Sequence, residues 1–163
     1  MRITFDQYFS EIANIVARRS TCWKYNVGAV VVSNDKLLST GYNGTASGCA
    51  HCADVGPRDR AAHREWSREH EIHAEWNAII LAAAQIQRAR AKGEIVTLYT
   101  TLAPCLACAE LVRLVGIQRV VYGEKASCSH EGLLFLTACG VRVDKAKPTR
   151  YQDFLLFQSG SFV

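Results

Sequence analysis

No stretch of this chain is apolar for long enough to cross a membrane as a helix. The longest apolar runs, such as Ala78 to Ala84, fall far short of the roughly 20 residues a span needs. Nor is a secretory leader expected from the opening residues: MRITFDQYFSEIANIVARR has the three-to-four spacing of an amphipathic helix rather than a continuous apolar block. A soluble protein of the cytoplasm, or of the host cytoplasm if the source is a virus, is therefore expected. Positive charge is thinly spread. The formal net charge of +4 comes from 19 basic against 15 acidic residues, and aromatics make up only 9%. No basic block or basic-aromatic stripe advertises duplex or single-stranded nucleic acid, whereas a phosphorylated small molecule suits this balance. Repeats, low-complexity segments and interdomain linkers are all absent, so 163 residues with 49% hydrophobic content are expected to form one domain, 1–163, around one core. Cysteine is not scarce. There are seven, an odd number, and four fall in Cys-x-x-Cys pairs, which in an unexported chain favours metal or thiol chemistry over a disulfide frame.

The apolar spacing predicts a helix over residues 4–19, with Phe5, Tyr8, Phe9, Ile12, Ile15 and Val16 on one face. Val27 to Val32 and Lys36 to Tyr42 read as two strands, joined at a tight turn through Asn34 and Asp35. Residues 43–72 mix glycine, proline, charge and histidine with weak periodicity, the mark of a long functional or metal-stapled insertion. Beyond it, helices are expected over 74–91, Cys105 to Val115 and Glu131 to Cys139, with strands at Ile95 to Thr101, Gln118 to Tyr122 and Val141 to Val143. This order implies an α/β fold with a mixed five-stranded sheet and helices on both faces. Trp66, Trp76, Cys128 and Cys139 are expected in the core.

Chemistry concentrates in His73-Ala74-Glu75 and, about thirty residues on, Pro104-Cys105-Leu106-Ala107-Cys108. One imidazole and two thiolates supply three ligands, the number that leaves a catalytic zinc one open position for water. Three residues apart on a helix, Cys105 and Cys108 share a face, with Pro104 suited to the first turn. His73 also stands where a helix begins, so two helix N-termini would converge on one ion and favour its anionic ligands. Glu75 follows His73 by two residues and cannot point the same way on a regular helix. It is expected to be the proton shuttle rather than a ligand. The bland readings are a structural zinc knot, or a core histidine beside two merely buried cysteines.

H-x-E followed by P-C-x-x-C is a signature of zinc-dependent nucleobase deaminases. VGAVVVSNDKLLSTGYNGTASGCAHC, HREWSREHEIHAEWNAI and LYTTLAPCLACAELV extend the likeness over about residues 20–123, and the chain resembles the deoxycytidylate deaminases of the cytidine/deoxycytidylate deaminase superfamily, especially phage and bacterial forms. The resemblance implies a three-layer αβα cytidine-deaminase-like fold and hydrolysis of dCMP, or of 5-substituted dCMP, to the corresponding dUMP and ammonia. It also implies substrate contacts at Asn43, Ala74 and Ala103, with Lys24 and Arg113 as candidate partners of the phosphate. Asn43 could equally brace the turn beside Gly44. Ala126 stands near a position where related phage enzymes tend to have an aromatic, which would open room at the base. Relatives assemble as hexamers or other homo-oligomers. Some are regulated by nucleotides, with magnesium accompanying the effector, but Leu81 and Ala84 replace the aromatic and arginine of such forms.

Cys22, Cys52, His63 and Glu71 match positions at which some phage relatives bind a structural zinc, which would staple the insertion at 43–72. At 1.5 Å per residue a straight helix would set His63 and Glu71 about 12 Å apart, so the chain is expected to bend between them. Cys49, His51 and His70 compete as ligands. Other readings remain: a deaminase of free cytidine, tRNA adenosine or single-stranded nucleic acid, or a zinc-binding module without catalysis.

Overall fold

The computed structural model describes residues 2–126 and 129–147. Helix α1 (Phe5–Ala17) opens on a capping box: the Thr4 hydroxyl accepts from the Gln7 N–H at 3.2 Å and the Thr4 N–H donates to Gln7 Oε1 at 3.0 Å. Its apolar face is narrower than the spacing predicts. Phe9, Ala13 and Ala17 are buried, whereas Phe5, Tyr8 and Ile15 are exposed. The reason is close approach: a Cβ on Gly28 would collide with the backbone of Ala13 and Ala17, so alanines rather than long side chains meet the sheet.

Strands β1 (Gly28–Ser33) and β2 (Lys36–Tyr42) form the expected hairpin. Asn34 and Asp35 turn it with φ of 49° and 58°, the paired positive values of a turn whose twist matches that of the strands. Two short strands, β3 (Gly44–Thr45) and β4 (Glu71–Ile72), pair apart from the main sheet. Between them lie α2 (Cys52–Val55) and α3 (Arg60–His70). Then come α4 (Ala74–Ala91), β5 (Val96–Leu102), α5 (Leu106–Val115), β6 (Arg119–Glu124), α6 (Ser129–Ala138) and β7 (Arg142–Lys145). The main sheet is mixed and five-stranded, ordered β2-β1-β5-β6-β7, with β1 antiparallel to both neighbours and β5, β6 and β7 parallel.

Residues of β1 alternate between two cores, so both faces of the sheet are covered. Ala29 and Val31 pack with Ala78, Ile79, Ala82 and Ile86 of α4 and with Val112 of α5. Val30 and Val32 pack with Phe9 and Ala13 of α1 and with Tyr99. The three-layer αβα architecture is therefore the one anticipated. On the α1 side, Arg119 of β6 grips Asp6 through two 2.7 Å bonds and Asp144 through one of 2.8 Å, while the Tyr99 hydroxyl donates to Asp6 at 2.8 Å.

The insertion departs most from expectation. Its helix α3 starts at Asp59, whose Oδ1 accepts from the N–H groups of Ala61 and Ala62. Only His63 is buried along it, so the helix carries no apolar stripe for sequence periodicity to register. Trp76 also departs, being 39% exposed on α4, and Trp66 is half-buried with its ring stacked on His70 at 4.6 Å. Cys139 is half-buried; Cys128 lies outside the described residues.

Candidate metal centres and cleft

Two helices start at the same place in space. His73 is the N-cap residue of α4 and Cys105 that of α5, and neither side chain makes a capping hydrogen bond. Both are free to face each other. Cys105 thus stands at the cap rather than inside the first turn, and Pro104 one residue before it. One turn along α5 comes Cys108. His73 Nδ1 is 3.2 Å from Cys108 Sγ and 3.6 Å from Cys105 Sγ, and all three donor atoms lie within 4.8 Å of one another. Zn–N and Zn–S bonds of about 2.0 and 2.3 Å at a tetrahedral angle imply N···S edges of roughly 3.6 Å. The donor set and its spacing therefore fit a zinc ion.

A hydrogen bond from the Cys108 thiol, opposed by burial and reinforced by His73, holds the Cys105 thiol down at about 4. The hydrogen bond with Cys105 raises His73 to about 9, and the same Cys105–Cys108 contact, together with burial, pushes Cys108 up. Zinc takes a neutral imidazole and two thiolates, so its charge would have to displace the protons of His73 and Cys108, with the α4 and α5 N-termini adding favourable potential. Glu75, 4% exposed on the first turn of α4, is not among the clustered donor atoms. Burial raises its carboxyl, with His73 opposing.

The cluster borders a cleft of about 550 Å³. Its lining includes His73, Ala74, Glu75, Ala103 and Cys105, with Ala126 and Glu131, and also Val27 and Asn43. Helix α3 contributes His63, Arg64, Ser67 and Arg68, and Glu71 follows beyond its end. Arg64, Ser67 and Arg68 were missed, although their three-to-four spacing marks one helix face. Ser129 was missed too. Its buried hydroxyl donates to the Ala103 carbonyl at 2.7 Å and accepts from the Ala126 N–H at 3.1 Å, joining two parts of the wall.

Of the expected substrate contacts, Asn43, Ala74 and Ala103 all line the cleft. Asn43 already uses both ends of its amide: Oδ1 accepts from the Val27 N–H at 2.8 Å and Nδ2 donates to the Tyr25 carbonyl at 2.9 Å. Lys24 does not line the cleft. Its ammonium donates to the Arg60 carbonyl at 2.9 Å and lies 5.0 Å from the centre of the Tyr25 ring. Arg113, exposed on α5, is likewise not among the lining residues.

A second cluster brings together Cys22, Cys52, His63 and Glu71, each offering a donor atom within 4.8 Å of the others. His63 Nε2 is 3.4 Å from Cys22 Sγ and 3.2 Å from Cys52 Sγ, and the sulfurs are 3.8 Å apart. Tetrahedral zinc would give S···S edges of about 3.8 Å. The N–H groups of Lys24 and Tyr25 both donate to Cys22 Sγ at 3.4 Å, as they would to a thiolate. Burial nevertheless pushes Cys22 up to about 12, raises Cys52 and lowers His63, so a cation would have to offset the desolvation. Glu71 Oε1 is buried with no hydrogen-bond partner. The expected bend between His63 and Glu71 is absent from the helix itself, which runs unbroken to His70; the chain turns extended only at Glu71. Side-chain reach closes the remaining gap. Cys49, His51 and His70 are exposed and outside the cluster.

The model of the cytidine and deoxycytidylate deaminase zinc-binding region matches residues 3–124. The deoxycytidylate deaminase of Mycobacterium phage D29 is 38% identical over 132 residues, which cover 77% of this chain and 98% of that one. That of Schizosaccharomyces pombe is 35% identical over 157 residues, or 94% of this chain, which spans only 47% of the yeast protein. Among solved structures, dCMP deaminase from the cyanophage S-TIM5 in complex with dCMP and dUMP superimposes with a TM-score of 0.69 at 26% identity, covering 89% of this chain and 98% of that one.

Proposed function

This chain belongs to the cytidine and deoxycytidylate deaminase family, and we propose that it hydrolyses dCMP to dUMP and ammonia. The observation that carries the proposal is a buried carboxyl, Glu75, beside a three-donor cluster but outside it, at the wall of a nucleotide-sized cleft. His73, Cys105 and Cys108 would hold the catalytic zinc. When bound, that ion acidifies a water molecule so that it can act as a nucleophile near neutral pH.

Glu75 takes a proton from the water as its oxygen adds to C4 of the pyrimidine, and passes it to N3. It then takes the remaining proton from the new C4 hydroxyl and delivers it to the amine: the C4–N bond breaks, the carbonyl of the product forms, and ammonia leaves. The burial that raises its pKa suits a group that must hold a proton between these steps. Ala74 and Ala103 present backbone at the base end of the cleft, with Ser129 fixing the Ala103 carbonyl. Asn43 braces the wall on which the sugar lies.

A second, structural zinc at Cys22, Cys52, His63 and Glu71 completes the proposal; its four side-chain donors close the shell, as structural sites do. So does homo-oligomerisation, up to a hexamer. Trp76, Ile80 and Leu81 leave an exposed apolar strip on α4 that suits a second copy of the chain. Light scattering at micromolar concentration should give a multiple of the chain mass.

The test is ammonia release from dCMP, deoxycytidine, dCTP and a single-stranded oligonucleotide by the zinc-loaded protein, with one arm adding dCTP and magnesium as effector. Preference for dCMP supports the proposal, and preference for deoxycytidine or the oligonucleotide overturns it. Glu75→Gln should abolish turnover while the zinc content stays the same. Loss of zinc together with activity would show the carboxylate to be a ligand.

A further inference from the structure

We infer that Arg64 and Arg68 of α3 bind the 5′-phosphate of the substrate and set the preference for a nucleoside monophosphate over the free nucleoside. The inference rests on the proposed deamination of dCMP and names the recognition element for its charged end.

Arg64 and Arg68 lie four residues apart on α3, so they share a face about one helical turn, roughly 6 Å, in length. That face lines the cleft, and among the described residues of the lining these two carry the only lysine or arginine charges. Neither is committed elsewhere. Arg64 has no ion pair among the described residues, and Arg68 is 3.6 Å from Glu65 in a pair whose side chains are 69% and 76% exposed, a contact solvent makes weak. Of the three carboxylates in the lining, Glu71 belongs to the second cluster, Glu75 adjoins the first, and Glu131 lies on α6. A nucleotide with its base at Glu75 and the first cluster has Arg64 and Arg68 as the cationic side chains of the lining left for its phosphate. Two guanidiniums match the tetrahedral oxygens of a phosphate monoester better than a single ammonium does. Lys24 is tied to the Arg60 carbonyl, outside the lining. The second cluster explains why a helix with so little apolar burial can hold its arginines in place: His63 adjoins Arg64 and anchors α3 against Cys22 and Cys52.

The test compares wild type with Arg64→Ala, Arg68→Ala and the double variant. One readout is kcat/KM for dCMP relative to deoxycytidine; the other is calorimetric affinity for dUMP relative to deoxyuridine. Each single variant should lower both ratios by about tenfold or more, the double variant further, with the change mainly in KM and with zinc content and helical circular dichroism preserved. Arg→Lys variants should recover part of the loss. Ratios that stay at the wild-type value, or equal losses for nucleotide and nucleoside, would overturn the inference. If wild type does not deaminate dCMP yet binds dUMP through these arginines, the phosphate site stands and the substrate proposal falls. If it deaminates dCMP with unchanged ratios in the variants, the reverse holds.

Discussion

The hydroxyl of Ser129 donates a 2.7 Å hydrogen bond to the carbonyl of Ala103, and through it the start of α6 holds the end of β5 from which Cys105 follows. The same oxygen receives the Ala126 N–H at 3.1 Å. Ser129→Ala removes the partner of two cleft-wall groups at once. Leaving buried polar groups unpaired costs about 1–3 kcal/mol, so the urea midpoint should drop by that equivalent and kcat for dCMP should fall with it. An unchanged midpoint would mean that water replaces the hydroxyl.

Gly132 packs against the ligand loop from the other side. A Cβ there would collide with the Pro104 carbonyl oxygen and the backbone of Cys105, neither of which can swing aside as a side-chain tip could. Gly132→Ala should therefore displace Cys105 and weaken the first metal centre even though alanine favours helix. The expected outcome is faster zinc loss to a chelator and reduced turnover, with the second cluster's metal retained.

The second cluster should govern the fold of the insertion rather than the reacting atoms. Cys52 is fully buried, and its sulfur touches both Cys22 and His63. Cys52→Ser should lower zinc content from two ions per chain to one and expose residues 43–72 to proteolysis, since α3 buries only His63. A zinc content that stays at two, or an insertion that keeps its protease resistance, would remove the staple from the account.

Acid should loosen α1 before it reaches the metal-free core. The Arg119 hydrogen bonds hold Asp6 below its ordinary 3.8, against a smaller opposing effect of burial. A carboxyl whose folded pKa is depressed contributes stability fully above its unfolded value and loses it as pH falls through the folded one. The melting temperature of wild type should thus fall more steeply between about pH 5 and pH 3 than that of Asp6→Asn. The difference is modest, because Asp6 is 41% exposed. Parallel curves would show that the pair contributes nothing.

What could be read from the sequence follows how local each signal is. The hairpin turn at Asn34 and Asp35 and the pairing of H-x-E with P-C-x-x-C are short patterns at helix or strand ends, and the structure brings their residues together as the spacing implies. The partners of the second cluster are separated by 30 and 41 residues, so no local pattern joins them and only the family likeness named them. Helix α3 escaped notice because it buries one histidine and no apolar stripe, and Arg64 and Arg68 escaped with it. Lys24 was placed at the phosphate by resemblance, and the Arg60 carbonyl holds it elsewhere. Ile15 and Trp76 show the limit of hydrophobicity as a guide: the close approach of Gly28 turns the Ala13 and Ala17 side of α1 to the sheet and leaves Ile15 on the side away from it, and α4 turns Trp76 outward.

Ala126 lines the cleft on the same side as Ala103, Cys105 and Glu131, where a larger side chain would occupy part of the volume. A substituent at C5 of the pyrimidine should find room there and gain apolar contact. Burying one methyl group is worth about 0.8 kcal/mol, or roughly a fourfold gain in efficiency. We therefore expect kcat/KM for 5-methyl-dCMP to equal or exceed that for dCMP, and Ala126→Phe to lower the first much more than the second. The pairing of substrate and variant makes the test specific, because a general disturbance of the wall would depress both substrates alike. Rejection of 5-methyl-dCMP by wild type would show that C5 faces a closed part of the cleft and that the small residue at 126 serves the loop rather than the base.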